Sequence, residues 1–234
     1  MPNASMARKR YLNAWSRYHR SDGFGIHSPF AFLFVVNVWS QPLHYYAYES
    51  ITRLRNTVKG MYRQQRNGID LISEREARLL FRVTNYFNPQ RILLVGAATG
   101  VEGVTMLAVN SKSRLVLCDA HWEQNPIAVR VMQSHLDRVV CYGSAAVAVN
   151  DFLEDGRENA MALVNVPIDG QLLYRLLDAG IVVVMCRLNR DRAMSALFEN
   201  CCSHMSMGQT FTNDKIAILN PNPKLQREDF LLWL

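Results

Sequence analysis

Long apolar runs are missing from this 234-residue sequence. None approaches the roughly 18 to 20 residues that span a bilayer, and the N-terminus lacks the apolar stretch of a signal peptide. Cysteine is sparse as well: Cys118, Cys141, Cys186, Cys201 and Cys202 are odd in number and lack metal-ligand spacing. Such a set supports neither a disulfide framework nor a zinc site. Thiols placed mostly in apolar runs suit a reducing cytoplasm, where the chain is expected to reside. Internal repeats and low-complexity tracts are absent. With 49% apolar and 20% charged residues, the composition is that of an ordinary globular chain, long enough for one α/β domain with a helical appendage.

Charge is unevenly spread. Lys and Arg number 26 against 20 Asp and Glu, and five of the positives (Arg8, Lys9, Arg10, Arg17 and Arg20) fall within the first twenty residues. Two readings stay open: a solvated basic helix, or a segment drawn to nucleic acid or an anionic membrane surface, with Tyr11, Trp15 and Tyr18 interleaved.

Residues 6–20 read as a basic amphipathic helix ended by Ser21-Asp22-Gly23 and Gly25. The run FAFLFVVNVW (30–39) is apolar nearly all round and is expected to be buried, against the main domain or across a homodimer, until Pro42 stops it. Tyr48, Ile51, Leu54, Val58 and Met61 stand at helical spacing in a surface helix over 47–64, and Gly68 closes this helical extension of 1–70. Ser73-Glu74-Arg75-Glu76 has the capping-box form and predicts a helix over 74–87.

From Arg91 the rhythm becomes βαβαβ. Strands are expected at RILLVG, RLVLCD, RVVCYG, MALVNV and GIVVVM, with helices at 101–109, 125–137, 145–154 and 190–203 and a closing hairpin at 207–212 and 215–219. A short helix of about ten residues would join the fourth and fifth strands. The fold class expected over 71–234 is therefore α/β: a doubly wound, Rossmann-like sheet of about seven mostly parallel strands, with ligands at the carboxyl ends of those strands.

The strongest local signal is LLVGAATG (93–100), a strand running into a turn that Gly96 and Gly100 make tight, leaving room for a ligand beside the following helix. The second strand ends at Asp119, about twenty residues on, where a carboxylate can accept from both ribose hydroxyls of a nucleotide. Asp119 could equally cap the next helix, and a doubly wound fold needs its first turn tight whether or not it binds anything. Turn and acid together fit adenosine-containing cofactors without separating S-adenosylmethionine (SAM) from NAD.

Gly25-Ile26-His27-Ser28-Pro29-Phe30, Tyr45-Tyr46-Ala47-Tyr48-Glu49, the segment RLLFRVTNYFNPQRILLVG and the end Asp229-Phe230-Leu231-Leu232-Trp233-Leu234 together resemble bacterial class I SAM-dependent O-methyltransferases with a G-I-H-S-P-F signature. The resemblance runs nearly end to end. It implies a class I methyltransferase sheet in which Gly96, Ala97, Ala98 and Gly100 form the cofactor loop and Asp119 holds the ribose. Ala120 and His121 would lie beside the cofactor, and Gly143 and Ser144 would contact the adenine. An active member would take a small-molecule acceptor.

The departures from that pattern are specific. Leu94 stands where the family carries an acid that helps hold the methionine amino group. The fifth strand ends in Cys186 and Arg187, where metal-dependent members carry acidic ligands, and a thiol and a guanidinium cannot replace oxygen ligands for Mg²⁺. Asp169 could match the fourth-strand ligand, although Pro167 interrupts the strand before it, so no metal is expected. His27, His44, His121, His135 and His204 are scattered, with structural roles expected, and Cys201-Cys202 reads as core packing. Three readings remain: a metal-independent methyltransferase; an inactive methyltransferase fold serving as a binding or scaffold protein; and a domain delivered to RNA or an anionic membrane by its basic N-terminal helix.

Overall fold

The computed structural model describes residues 14–65, 71–156 and 158–234. The basic cluster Arg8, Lys9 and Arg10, and Gly68, lie outside the described residues. Five strands, β1 (Arg91–Val95), β2 (Arg114–Cys118), β3 (Val139–Tyr142), β4 (Ala160–Val164) and β5 (Val182–Met185), are parallel. They are followed by β6 (Gln209–Thr212), β7 (Ala217–Asn220) and β8 (Glu228–Leu231). Their order across the sheet is β3-β2-β1-β4-β5-β7-β6-β8, with β7 alone running antiparallel to its neighbours. The expected doubly wound sheet and closing hairpin are present. An eighth strand is added because Glu228–Leu231 lies parallel to β6, register Phe211↔Phe230, and stacks those two rings 5.1 Å apart. The alternation that would reveal this strand is blurred by the apolar run 230–234.

Alternate residues of β1 divide the core. Ile92 and Leu94 face one apolar cluster and Leu93 and Val95 the other, as the period of two requires. Helices α7 (Ala145–Glu154), α8 (Gly170–Asp178) and α9 (Arg192–His204) cover the second face. The first is covered by α2 (Pro29–Phe34), α3 (Tyr48–Gln65), α4 (Glu74–Phe87), α5 (Val101–Leu107) and α6 (Pro126–Met132), preceded by α1 over 14–21. The expected helix over 125–137 is α-helical only to Met132 and continues as a 3-10 turn, Gln133–Arg138.

The capping box forms as read: Ser73 Oγ accepts from Glu76 N–H at 3.2 Å and Glu76 Oε2 from Ser73 N–H at 2.9 Å. In G-I-H-S-P-F, Ser28 caps α2 by accepting from Ala31 N–H and also accepts from Gln209 Nε2 at 2.8 Å, which ties the segment to β6. Pro29 occupies the first turn of α2, where its missing N–H costs nothing. The run 30–39 departs from the expectation of burial all round. Phe34, Val35, Val38 and Trp39 are buried, whereas Phe32 and Leu33 are about half exposed, because only one side of the helix meets the core. Its last turn, Val35–Trp39, is π-helical, with Ser40 N–H reaching back to Val35 O. Arg82 of α4, buried beneath it, donates to Val38 O, Trp39 O and the Tyr48 hydroxyl. Trp39 Nε1 and Ser21 Oγ both donate to Trp233 O, anchoring the C-terminal strand to the leading helices. Among the described residues, no helix is long and apolar enough to cross a membrane.

Candidate functional site

The candidate site lies at the carboxyl ends of β1, β2, β3 and β4. After Val95 the chain turns through Gly96 (φ 81°), Ala98 (φ 48°) and Gly100 (φ 80°) into α5. A Cβ at Gly96 would fall 2.9 Å from Val166 Cγ1, and one at Gly100 would fall 3.1 Å from Ala128 O, so conformation and space both demand glycine there. Ala98 lacks that freedom, and its left-handed backbone costs about 1 kcal/mol. Asn125 offsets the cost: its Nδ2 donates to Ala98 O at 2.9 Å while its Oδ1 caps α6 by accepting from Ala128 N–H.

Asp119, half-buried at the end of β2, faces this turn. Its Oδ2 accepts from Ala97 N–H at 2.8 Å and its Oδ1 from His121 N–H at 2.9 Å. A carboxylate offers about four acceptor positions, so roughly two remain for ligand hydroxyls. Asp119 does not cap the next helix, since the 3-10 turn Trp122–Gln124 has no side-chain cap and α6 is capped by Asn125; it organises two turns instead. Asp119 N–H donates to Tyr142 O, which brings the end of β3 alongside, with Gly143 and Ser144 exposed. A Cβ at Gly143 would meet nothing within 4 Å. Ala120 and His121 are exposed on the same rim. The structure thus brings Gly96, Ala97, Ala98, Gly100, Asp119, Ala120, His121, Gly143 and Ser144 together along three adjacent strand ends.

Leu94 is fully buried and does not reach this rim. Its Cδ2 lies 3.2 Å from where Gly103 would carry a Cβ, so it seals β1 against α5. Arg187, at φ 64°, turns from the end of β5 to pair with Glu102 at 3.0 Å; the carboxylate is wholly buried in the first turn of α5 and also accepts from Thr99 Oγ1. The fifth-strand position thus holds a buried ion pair. Asp169 caps α8, accepting from Gln171 N–H. No three His, Cys, Asp or Glu among the described residues stand close enough to hold one metal ion, and Cys186 with Arg187 does not fit a divalent cation.

Four contributors escaped the sequence reading: Tyr62, Glu102, Asn125 and Asn165. Asn165, at the end of β4, donates from Nδ2 to Gly96 O at 3.0 Å, and its buried Oδ1 has no hydrogen-bond partner among the described residues. Tyr62 arrives from α3 and lies over the turn. A cavity of about 570 Å³ opens there, lined among others by Tyr62, Thr99, Asn165, Arg187, Arg190 and Arg192. An asparagine capping signal before Pro126 was available in the sequence; the others required the fold.

Elsewhere, His204 pairs with Asp178 at 2.8 Å and stacks on Tyr174. That is a histidine–carboxylate pair the spacing did not disclose, because it joins the ends of α8 and α9. Both helices end at the amino edge of the sheet, away from the site. Burial pushes Cys201 up to about 12 and Cys202 up to about 11, so thiolate is scarce at neutral pH. Cys118 beside the site is raised by burial and then by the Asp119 carboxylate. Cys141 is exposed on the edge strand β3.

The sequence matches no protein-family model and no curated relative. Its backbone is similar to several solved methyltransferases. An SAH-bound methyltransferase from Podospora anserina is 10% identical, with a TM-score of 0.56 and 94% of this chain and 97% of that chain covered. A methyltransferase from Geobacter sulfurreducens is 15% identical, with a TM-score of 0.55 and 72% and 90% covered. An O-methyltransferase from Bacillus cereus in complex with SAH is 13% identical, with a TM-score of 0.54 and the same coverage, 72% and 90%. Likeness at these identities establishes the fold: the chain is built on the doubly wound α/β sheet of class I methyltransferases.

Proposed function

We propose that this protein binds SAM at the ends of β1, β2 and β3 and transfers its methyl group to a small-molecule acceptor without a metal. The observation that carries the reading is the Asp119 carboxylate, held by Ala97 N–H and His121 N–H beside a doubly glycine-dependent turn and facing the open space at Gly143. Loop, acid and open space suit the three parts of SAM: its methionine chain, its ribose hydroxyls and its adenine base. Bound SAM would supply an electrophilic sulfonium methyl. The chain's own part is placement. Asp119 fixes the ribose, the turn at 96–100 keeps side chains out of the way, and Tyr62 and Val166 narrow the mouth where an acceptor must line up with the methyl.

Titration with SAM and S-adenosylhomocysteine (SAH) tests the reading, using wild type and Gly143→Leu. Because a side chain at Gly143 enters open space, the variant should keep its melting temperature while losing at least about tenfold in affinity for both ligands, since the leucine would occupy the base position. Absence of heat with wild type up to millimolar ligand would remove the cofactor reading.

One observation favours a second reading, that of a fold kept for binding rather than transfer. Leu94, and Arg187 in its ion pair with Glu102, occupy two positions where the resembled family places working groups. Transfer of a labelled methyl group from SAM separates the two: SAH binding without any transfer, across acceptors that fit the cavity, would leave the inactive reading standing.

A further inference from the structure

The turn that follows α1 gathers side chains that the cofactor reading does not use. Trp15, Tyr18 and Phe24 are 60%, 56% and 66% exposed. They are not scattered. The His19 ring lies 4.2 Å from that of Trp15, 6.0 Å from Tyr18 and 5.5 Å from Phe24, centroid to centroid. Two further exposed residues border the same turn. Gly23 sits so close to Phe32 of α2 that a Cβ there would fall 2.6 Å from Phe32 Cε2, and Ser21 Oγ exchanges hydrogen bonds with the backbone of Trp233. Phe32 and Trp233 are 43% and 51% exposed. Single exposed rings are ordinary on a soluble protein, whereas rings gathered around one turn mark an interaction surface.

Charge distinguishes the partners such a surface could take. Residues 1–21 include Arg8, Lys9, Arg10, Arg17 and Arg20 and no Asp or Glu. Arg17 is paired with Asp214 at 2.8 Å, and Asp22 offsets Arg20, so the surplus belongs to Arg8, Lys9 and Arg10. Chain length limits where that surplus can act: Arg8, the farthest of the three, is seven residues from Trp15, a span of at most about 25 Å. A cationic stretch tethered to exposed Trp, Tyr and Phe suits an anionic lipid surface, where rings enter the headgroup region and basic side chains meet the lipid phosphates.

The ring geometry favours lipid over RNA. Trp15, Tyr18 and Phe24 meet His19 at 70°, 82° and 82°, edge to face, which offers a base no pair of parallel plates among these rings. Leu33, next to Phe32, is also exposed and apolar, as an acyl boundary requires. A second copy is disfavoured by symmetry, because a two-fold contact through this face would set two cationic stretches against each other. We infer that the face around Ser21–Gly25, with residues 8–10 beside it, docks this protein on an anionic lipid bilayer. The inference does not depend on the cofactor reading.

The experiment is co-sedimentation of the full chain with phosphatidylcholine vesicles and with equimolar phosphatidylcholine and phosphatidylglycerol vesicles, at low and high salt. Binding to the mixed vesicles is expected to be at least about tenfold tighter than to phosphatidylcholine alone, and to fall as salt rises. Arg8→Gln, Lys9→Gln and Arg10→Gln together should abolish that preference. Trp15→Ala with Phe24→Ala should weaken binding to the mixed vesicles about tenfold while leaving the melting temperature in place, since both rings are exposed. Binding to neither vesicle, equal binding to both, a preference that survives the three basic substitutions, or binding unmoved by loss of the two rings would overturn the proposal. Tighter binding to poly(U) than to the mixed vesicles, weakened by the same substitutions, would assign the face to RNA instead. A dimer in sedimentation equilibrium that loss of the two rings dissolves would assign it to a second copy. Either of these results also overturns the proposal.

Discussion

Asp119→Ala removes two hydrogen bonds that organise the first turn, and the cost can be worked out from where each donor lies. Ala97 is 1% exposed, so its N–H would lose a charge-assisted partner with no water to replace it, at roughly 1.5–3 kcal/mol. His121 is exposed, and its N–H can turn to solvent for about 0.5–1 kcal/mol. The sum, about 2–4 kcal/mol, lowers the thermal midpoint of a chain this size by roughly 5–15 °C. Asp119→Asn should lose about half as much. Its amide oxygen can keep Ala97 N–H, while its amide nitrogen confronts His121 N–H donor to donor. Calorimetry and urea unfolding, without ligand, read both variants. An Asp119→Ala protein melting within about 1 °C of wild type would refute the reasoning. The same arithmetic explains why lost SAH binding in Asp119→Ala says little about ribose, and why Gly143→Leu is the sharper probe of the cofactor.

Further outcomes are expected. Leu94→Glu, which introduces an acid, should destabilise by more than about 3 kcal/mol without improving SAH affinity, because Leu94 is wholly buried against α5; a calorimetric gain in SAH affinity would contradict this. Arg82→Met leaves the carbonyls of the π-helical turn without their donor and should cost about 3–5 kcal/mol, read from the urea midpoint. Alkylation with iodoacetamide at pH 8, mapped by mass spectrometry, should label exposed Cys141 before Cys202, and Cys201 last. The pKa of His135 is lowered first by burial and then by Arg138. The unfolded chain therefore binds this proton more readily, so the contribution of His135 is present above the unfolded value near 6.5 and is lost as pH falls through it toward the folded value. Between pH 7.5 and 5.5, His135→Asn should lose less stability than wild type; an equal or greater loss would reverse the sign.

Local chemistry explains what could be read in advance. The glycines of the first turn, the acid at the end of β2, the capping box at Ser73–Glu76 and the parallel-strand rhythm are patterns within short windows. Each reflects a backbone demand that a few neighbouring residues meet or fail to meet. What could not be read depends on residues brought together from separate stretches. Glu102 and Arg187 are 85 positions apart in sequence, and their ion pair exists only because β5 ends beside α5. Tyr62 reaches the cavity because α3 packs along α5 and α6. The Asp178–His204 pair depends on two helices ending on the same edge.

By itself, the sequence determined the alternation of apolar strands and amphipathic helices and the places where glycine is obligatory. Those follow from periodicity and backbone sterics, which act over a few residues. Only the tertiary structure decided that an eighth strand joins the sheet, that 30–39 buries one side alone, and that Asp119 serves two turns while facing outward. It also decided that three arginines gather at one mouth. These are matters of which surfaces meet, and the energy that settles them comes from burial and pairing between parts of the chain that no short window contains.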